Sequence, residues 1–169
     1  MRFAFWKRPV PSKLDTFSWN LMVAAIDPDQ CWEIATMFRD TGMPSNVLTC
    51  ETAFLMGSVA RDVIRTTIPE THQRACITSA ESAYYKTFDD QSTDPLPPEM
   101  ARVYGSLTLG HVSRIALAAY GEEQDFLFLT SARLVQRLNG DPRMKFEIMP
   151  LLEERAIRLH RLFAKAIRS

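Results

Sequence analysis

Apolar residues in this chain return every third or fourth position, and no convincing run of alternating β-branched residues interrupts them, so the pattern predicts helices and no sheet. The clearest stripe lies between about 45 and 67, where Leu48, Leu55, Met56, Val59 and Val63 share a face and Arg61, Asp62 and Arg65 lie off it. Pro44 and the capping residue Ser45 open that helix. A helix from 13 to 26 ends before Asp27-Pro28, the start of a second that runs to about 41 and stops at Gly42. A fourth opens at Pro69, carries Glu70 in its first turn, and turns Ile77, Ala80, Tyr84 and Phe88 inward.

Further helices are expected at 97 to 120, ending at Gly121, and at 122 to 139, ending at Asn139-Gly140. The last begins at Asp141-Pro142 or at Met149-Pro150 and bears the stripe Leu152, Ala156, Leu159, Phe163 and Ala166. The fold expected is therefore all-α: a single-domain bundle of six to seven helices, mostly antiparallel because the connections are short. Residues 1 to 12 read as an irregular aromatic and basic arm, 13 to 169 as one helical domain, and DDQSTDPLPP (89–98) as a linker between two helical halves.

The segment YGSLTLGHVSRIALAAYG, 104 to 121, is apolar or small on nearly every side, with Arg114 its one formal charge. A helix of that kind has neighbours all round, so 97–120 is expected to be central. Gly105 and Gly110 each weaken it by ~1 kcal/mol relative to alanine, and close approach of a neighbour or a ligand is the reason expected for them.

His111, on the face shared by Tyr104 and Thr108, admits two readings. It is a histidine of the core or its boundary paired with a carbonyl, hydroxyl or carboxylate, or it lines a pocket as a base or polar anchor. Glu81 falls among Ile77, Tyr84 and Phe88, where a carboxylate is unexpected. It either pairs on its own helix with Arg74 or Tyr85, or faces His111. A ligand pocket, if there is one, is expected at His111, Glu81, Tyr104 and Thr108.

Charge and composition narrow the remaining choices. The 20 basic and 20 acidic residues cancel, and a domain built to neutralise nucleic-acid phosphates carries a basic excess, so no nucleic-acid partner is expected. Cys31, Cys50 and Cys76 contain no CxxC pair, which predicts neither a disulfide framework nor a zinc site and fits a reducing, cytoplasmic compartment. Glu-x-x-His pairs, HExxH, phosphate-loop and dinucleotide fingerprints and GxSxG are all missing, so no metal and no cofactor are expected. The amino terminus lacks the apolar run of a signal peptide, and no stretch approaches the ~20 apolar residues of a membrane span.

Two surfaces suggest contact with another molecule. Phe3, Phe5 and Trp6 alternate with small and basic residues in the arm, and Phe54 lies off the main stripe of its helix. The last helix carries Arg155, Arg158, Arg161, Lys165 and Arg168, which form a solvated face or a surface for an acidic partner or a peripheral membrane contact. The function expected is a non-enzymatic protein-interaction module, self-associating as a homodimer. The alternative is a small-ligand-binding protein or cofactor-free enzyme with its pocket beside residues 104–115.

Overall fold

The structure, a computed structural model, describes residues 12–89, 93–120 and 126–168. These form α1 (Lys13–Ala25), α2 (Pro28–Thr36), a 3-10 turn (Arg39–Thr41), α3 (Ser45–Thr67), α4 (Glu70–Thr87), α5 (Pro98–Tyr104), α6 (Leu109–Ala119), α7 (Phe126–Arg137) and α8 (Met144–Arg168). Among the described residues there is no strand, and the chain is an all-α bundle. Residues 1–11 of the arm, with Phe3, Phe5 and Trp6, lie outside the described residues, as do 90–92 of the linker and 121–125.

The ends of the helices follow their side chains. At the start of α1, the Ser12 hydroxyl accepts from the Asp15 N–H at 3.1 Å and the Asp15 carboxylate accepts from the Ser12 N–H at 2.9 Å. That reciprocal pair satisfies two donors that a helix end leaves open. Asp27 accepts from the N–H groups of Asp29 and Gln30, with Pro28 at the first position of α2. The α2 helix stops five residues before the expected end, and the chain continues through the 3-10 turn to Gly42, at φ 75°. The left-handed position after α7 belongs to Asn139 (φ 53°), not to Gly140. Gly140 is small for a different reason: a Cβ there would stand 2.9 Å from the Phe38 ring.

The central helix is α3, not 97–120. It contacts every other α-helix of the described chain, and all of 51–60 (ETAFLMGSVA) is buried. Small residues let neighbours approach it on all sides. A Cβ on Gly57 would sit 2.6 Å from the Tyr84 ring, so α4 lies against bare backbone there.

The segment expected as one helix over 97–120 divides into α5 and α6. Gly105 closes α5 at φ 70°, ψ −146°, a conformation almost confined to glycine, and Thr108 begins α6 by accepting from the His111 N–H at 3.2 Å. Nothing lies within 4 Å of where a Gly105 Cβ would be, so its role is the turn and not close approach. Gly110 is buried in the first turn of α6. Of the two starts considered for the last helix, the earlier is used, and α8 runs unbroken through Pro150.

Candidate functional site

The most concentrated polar chemistry in the described chain surrounds Glu51, a carboxylate buried in the central helix. Three other helices bring its partners. Arg137, the last residue of α7, donates from Nε to Oε2 at 2.6 Å and from Nη2 to Oε1 at 2.8 Å. The hydroxyl of Tyr104, from the end of α5, donates to Oε1 at 2.6 Å, and that of Tyr120, just past α6, donates to Oε2 at 3.3 Å. A carboxylate has about four lone-pair positions, and all four are occupied here.

The two phenols and the guanidinium around Glu51 are held in their ordinary protonation states. Burial first, then the Glu51 charge, pushes the Tyr104 and Tyr120 hydroxyls well above the ordinary tyrosine range. The hydrogen bond to Glu51 raises Arg137 further. Burial, with Glu51 beside it, pushes the Cys50 thiol up to about 11. Burial and Asp27 push Cys31 up to about 12. Neither sulfur is a ready nucleophile at neutral pH. A carboxylate with full coordination between two un-ionised phenols has no free acceptor for a substrate proton. The arrangement can pin α5, α6 and α7 onto α3.

The expected pocket residues are not brought together. Glu81 pairs across helices with Arg61 (3.3 Å), whose other nitrogen donates to the Leu117 carbonyl at 3.2 Å. The partners expected for Glu81 on its own helix, Arg74 and Tyr85, are replaced by a residue of α3. The His111 side chain is exposed, and among the described residues no hydrogen bond or ion pair joins it to Glu81. Thr108 serves as the cap of α6, and Tyr104 belongs to the Glu51 cluster.

Phe54, expected on a contact surface, is fully buried, with its ring centroid 5.0 Å from that of Phe88 and 6.4 Å from that of Tyr84. The correction has a simple cause: α3 has neighbours on every side, so a residue off its main stripe meets a second helix. Among the described residues no cluster of His, Cys, Asp and Glu could hold a metal ion, and no helix is long and apolar enough to cross a membrane.

Sequence reasoning missed Glu51 and Arg137. A signal for Glu51 was present: it lies three residues after Leu48 and four before Leu55, on the apolar stripe itself, as Glu81 does on its helix. Arg137 sits at the end of a helix, where a basic residue is ordinary, and carried none.

Among the described residues large apolar side chains are exposed on six helices: Val23 on α1, Trp32 on α2, Val103 on α5, Ile115 on α6, and four more on α7 and α8. Phe128, Phe146, Ile157 and Leu162 are large apolar side chains left exposed on these two helices. The Phe128 and Phe146 rings lie 6.4 Å apart, with the Lys145 ammonium 5.2 and 5.0 Å from their centres. Ile157 borders a hollow of about 350 Å³ shared with Val63 and Thr66 of α3 and Leu127 of α7. Leu162 borders another, of about 310 Å³, with Phe17, Leu21 and Ala24 of α1.

The basic face is divided. Arg155 is engaged by Gln30 at 2.7 Å and by Glu33, which ties α8 to α2, whereas Arg158, Arg161, Lys165 and Arg168 are exposed. Comparison with family models, curated proteins and solved structures finds no match to this chain.

Proposed function

We propose that the protein is a non-enzymatic helical interaction module that self-associates as a homodimer in a reducing, cytoplasmic compartment. The observation that carries this reading is the set of large apolar side chains left exposed on α7 and α8: Phe128, Phe146, Ile157 and Leu162. Single exposed apolar residues are ordinary on a protein surface, but several on adjacent helices, beside open apolar hollows, are the composition of a contact surface.

The Glu51 cluster supports the same reading from the other side. The strongest polar site in the described chain spends its whole hydrogen-bonding capacity on holding helices together. A small-ligand or enzymatic role beside residues 104–115 has less support, because Glu81 and Tyr104 are engaged elsewhere and His111 faces solvent.

Light scattering of the full chain over a rising concentration series tests the proposal. A dimer is expected, and substitution of exposed Ile157 by aspartate is expected to shift it toward monomer while the helical circular dichroism signal is kept, with an unfolding midpoint lowered by the loss of association. A wild-type chain that stays monomeric at the highest concentration would contradict self-association.

A further inference from the structure

The outer face of α8 has a charge pattern that is complementary to itself. Ile157 is 44% exposed, and its neighbours one turn before and one turn after share its face. The turn before supplies Glu153 and Glu154; the turn after supplies His160 and Arg161. All four are exposed, and among the described residues no hydrogen bond or ion pair engages any of them. Around one exposed apolar residue, then, stand two carboxylates on one side and a guanidinium and an imidazole on the other, none engaged by a described residue.

From this juxtaposition we infer that a second copy of the chain docks here, α8 against α8, antiparallel and centred on Ile157. The inference rests on the self-association reading and names its surface. In a parallel pair the glutamates of the two copies would face each other and repel. Reversing one helix about Ile157 brings Glu153 and Glu154 of each copy against Arg161 and His160 of the other, twice over by the two-fold axis.

The same register runs out to the ends of the helix. Phe146, 58% exposed, comes opposite the basic carboxy-terminal turn of the second copy, where a cation over its ring is favourable. At the centre, the apolar side of the hollow bordered by Val63, Leu127 and Ile157 receives the Ile157 side chain of the second copy. That hollow supplies the water exclusion that lets rim charges specify orientation.

Charge exchange tests this arrangement on the full chain. One variant carries Glu153→Lys and Glu154→Lys, so that no carboxylate flanks Ile157 on the seam; the other carries His160→Glu and Arg161→Glu, so that four carboxylates do. Sedimentation at moderate salt is expected to show a wild-type dimer. Each variant alone is expected to self-associate at least about tenfold more weakly, since the attraction of Glu153 for Arg161 across the axis is replaced by a like-charge pair in both. An equimolar mixture is expected to form a heterodimer, because basic seam then meets acidic seam.

Each variant is first matched to wild type by its helical circular dichroism and a cooperative unfolding transition, so that the mixture reads the seam and not misfolding. A wild-type dimer with both variants dimerising as tightly as wild type overturns the α8 interface and leaves self-association standing. So does a mixture that stays monomeric beside a dimeric wild type. A monomeric wild type overturns both.

Discussion

Glu51 is 2% exposed and its partner Arg137 reaches it from a part-exposed position at the end of α7. Desolvating the carboxylate costs several kcal/mol, offset here by the bidentate guanidinium and two phenolic hydroxyls. Removing one charge is therefore worse than removing both. Arg137→Met leaves the buried carboxylate with only its two tyrosines and is expected to destabilise the protein by about 3–5 kcal/mol. Combining Arg137→Met with Glu51→Leu is expected to cost less than the sum of the two single changes, as chemical denaturation in a double-mutant cycle would measure. Additive costs would mean that the pair is not coupled as its geometry implies.

At the same scale, Glu81 and Glu51 show what one sequence can and cannot convey. Both sit on apolar stripes, and periodicity flags each as a carboxylate that needs a partner. The partners, Arg61 and Arg137, come from other helices, twenty and eighty-six residues away, and no local spacing encodes such pairings.

Among the helices, α3 shows the value of small residues. Thr52, Ala53, Gly57, Ser58 and Ala60 keep its surface low, so that neighbours pack around it without a preferred face. At Gly57 the requirement is strict. The Tyr84 ring that a Cβ would strike is fully buried, and its hydroxyl is anchored on the Ser113 carbonyl at 3.0 Å. Alanine gains ~1 kcal/mol of helix propensity but overpacks a pinned ring at a cost of about 1–3 kcal/mol. Gly57→Ala is therefore expected to lower stability by up to about 2 kcal/mol in urea unfolding, and a stabilised variant would show that the ring moves aside.

Most of these helices were legible from periodicity and caps, and those of α1, α3, α4 and α8 match the expected segments closely. The break at Gly105 was not, because a glycine within an apolar run reads equally as a close contact or as a turn. The choice of central helix failed for a related reason. Residues 104–120 are apolar or small nearly all round, and 51–60 are all buried, but Arg61, Asp62 and Arg65 further along the same helix made it look amphipathic.

For the whole molecule, the core and the surface divide the polar chemistry between them. The Glu51 cluster is closed and pins four helices, whereas the charges flanking Ile157 on α8 remain open. That contrast was only partly visible beforehand. The basic residues of the last helix stand out in the sequence, but nothing in the spacing of Glu153 and Glu154 marks them as the complement of that face. Their meaning depends on Ile157 facing outward, which the stripe of Leu152, Leu159 and Phe163 implies only once the helix is seen packed on one side.

If two copies meet at Ile157 as proposed, a single cysteine there reports the contact. In an antiparallel pair centred on this residue the two substituted side chains face each other across the two-fold axis. The native thiols compete little, since Cys31 and Cys76 are buried and burial raises both, as it does the part-buried Cys50. Mild oxidation of the full-length Ile157→Cys chain is predicted to give a covalent dimer on a non-reducing gel, while a control cysteine at exposed Ser82 on α4 stays monomeric under the same conditions. An Ile157→Cys chain that crosslinks no faster than the Ser82→Cys control would contradict the claim.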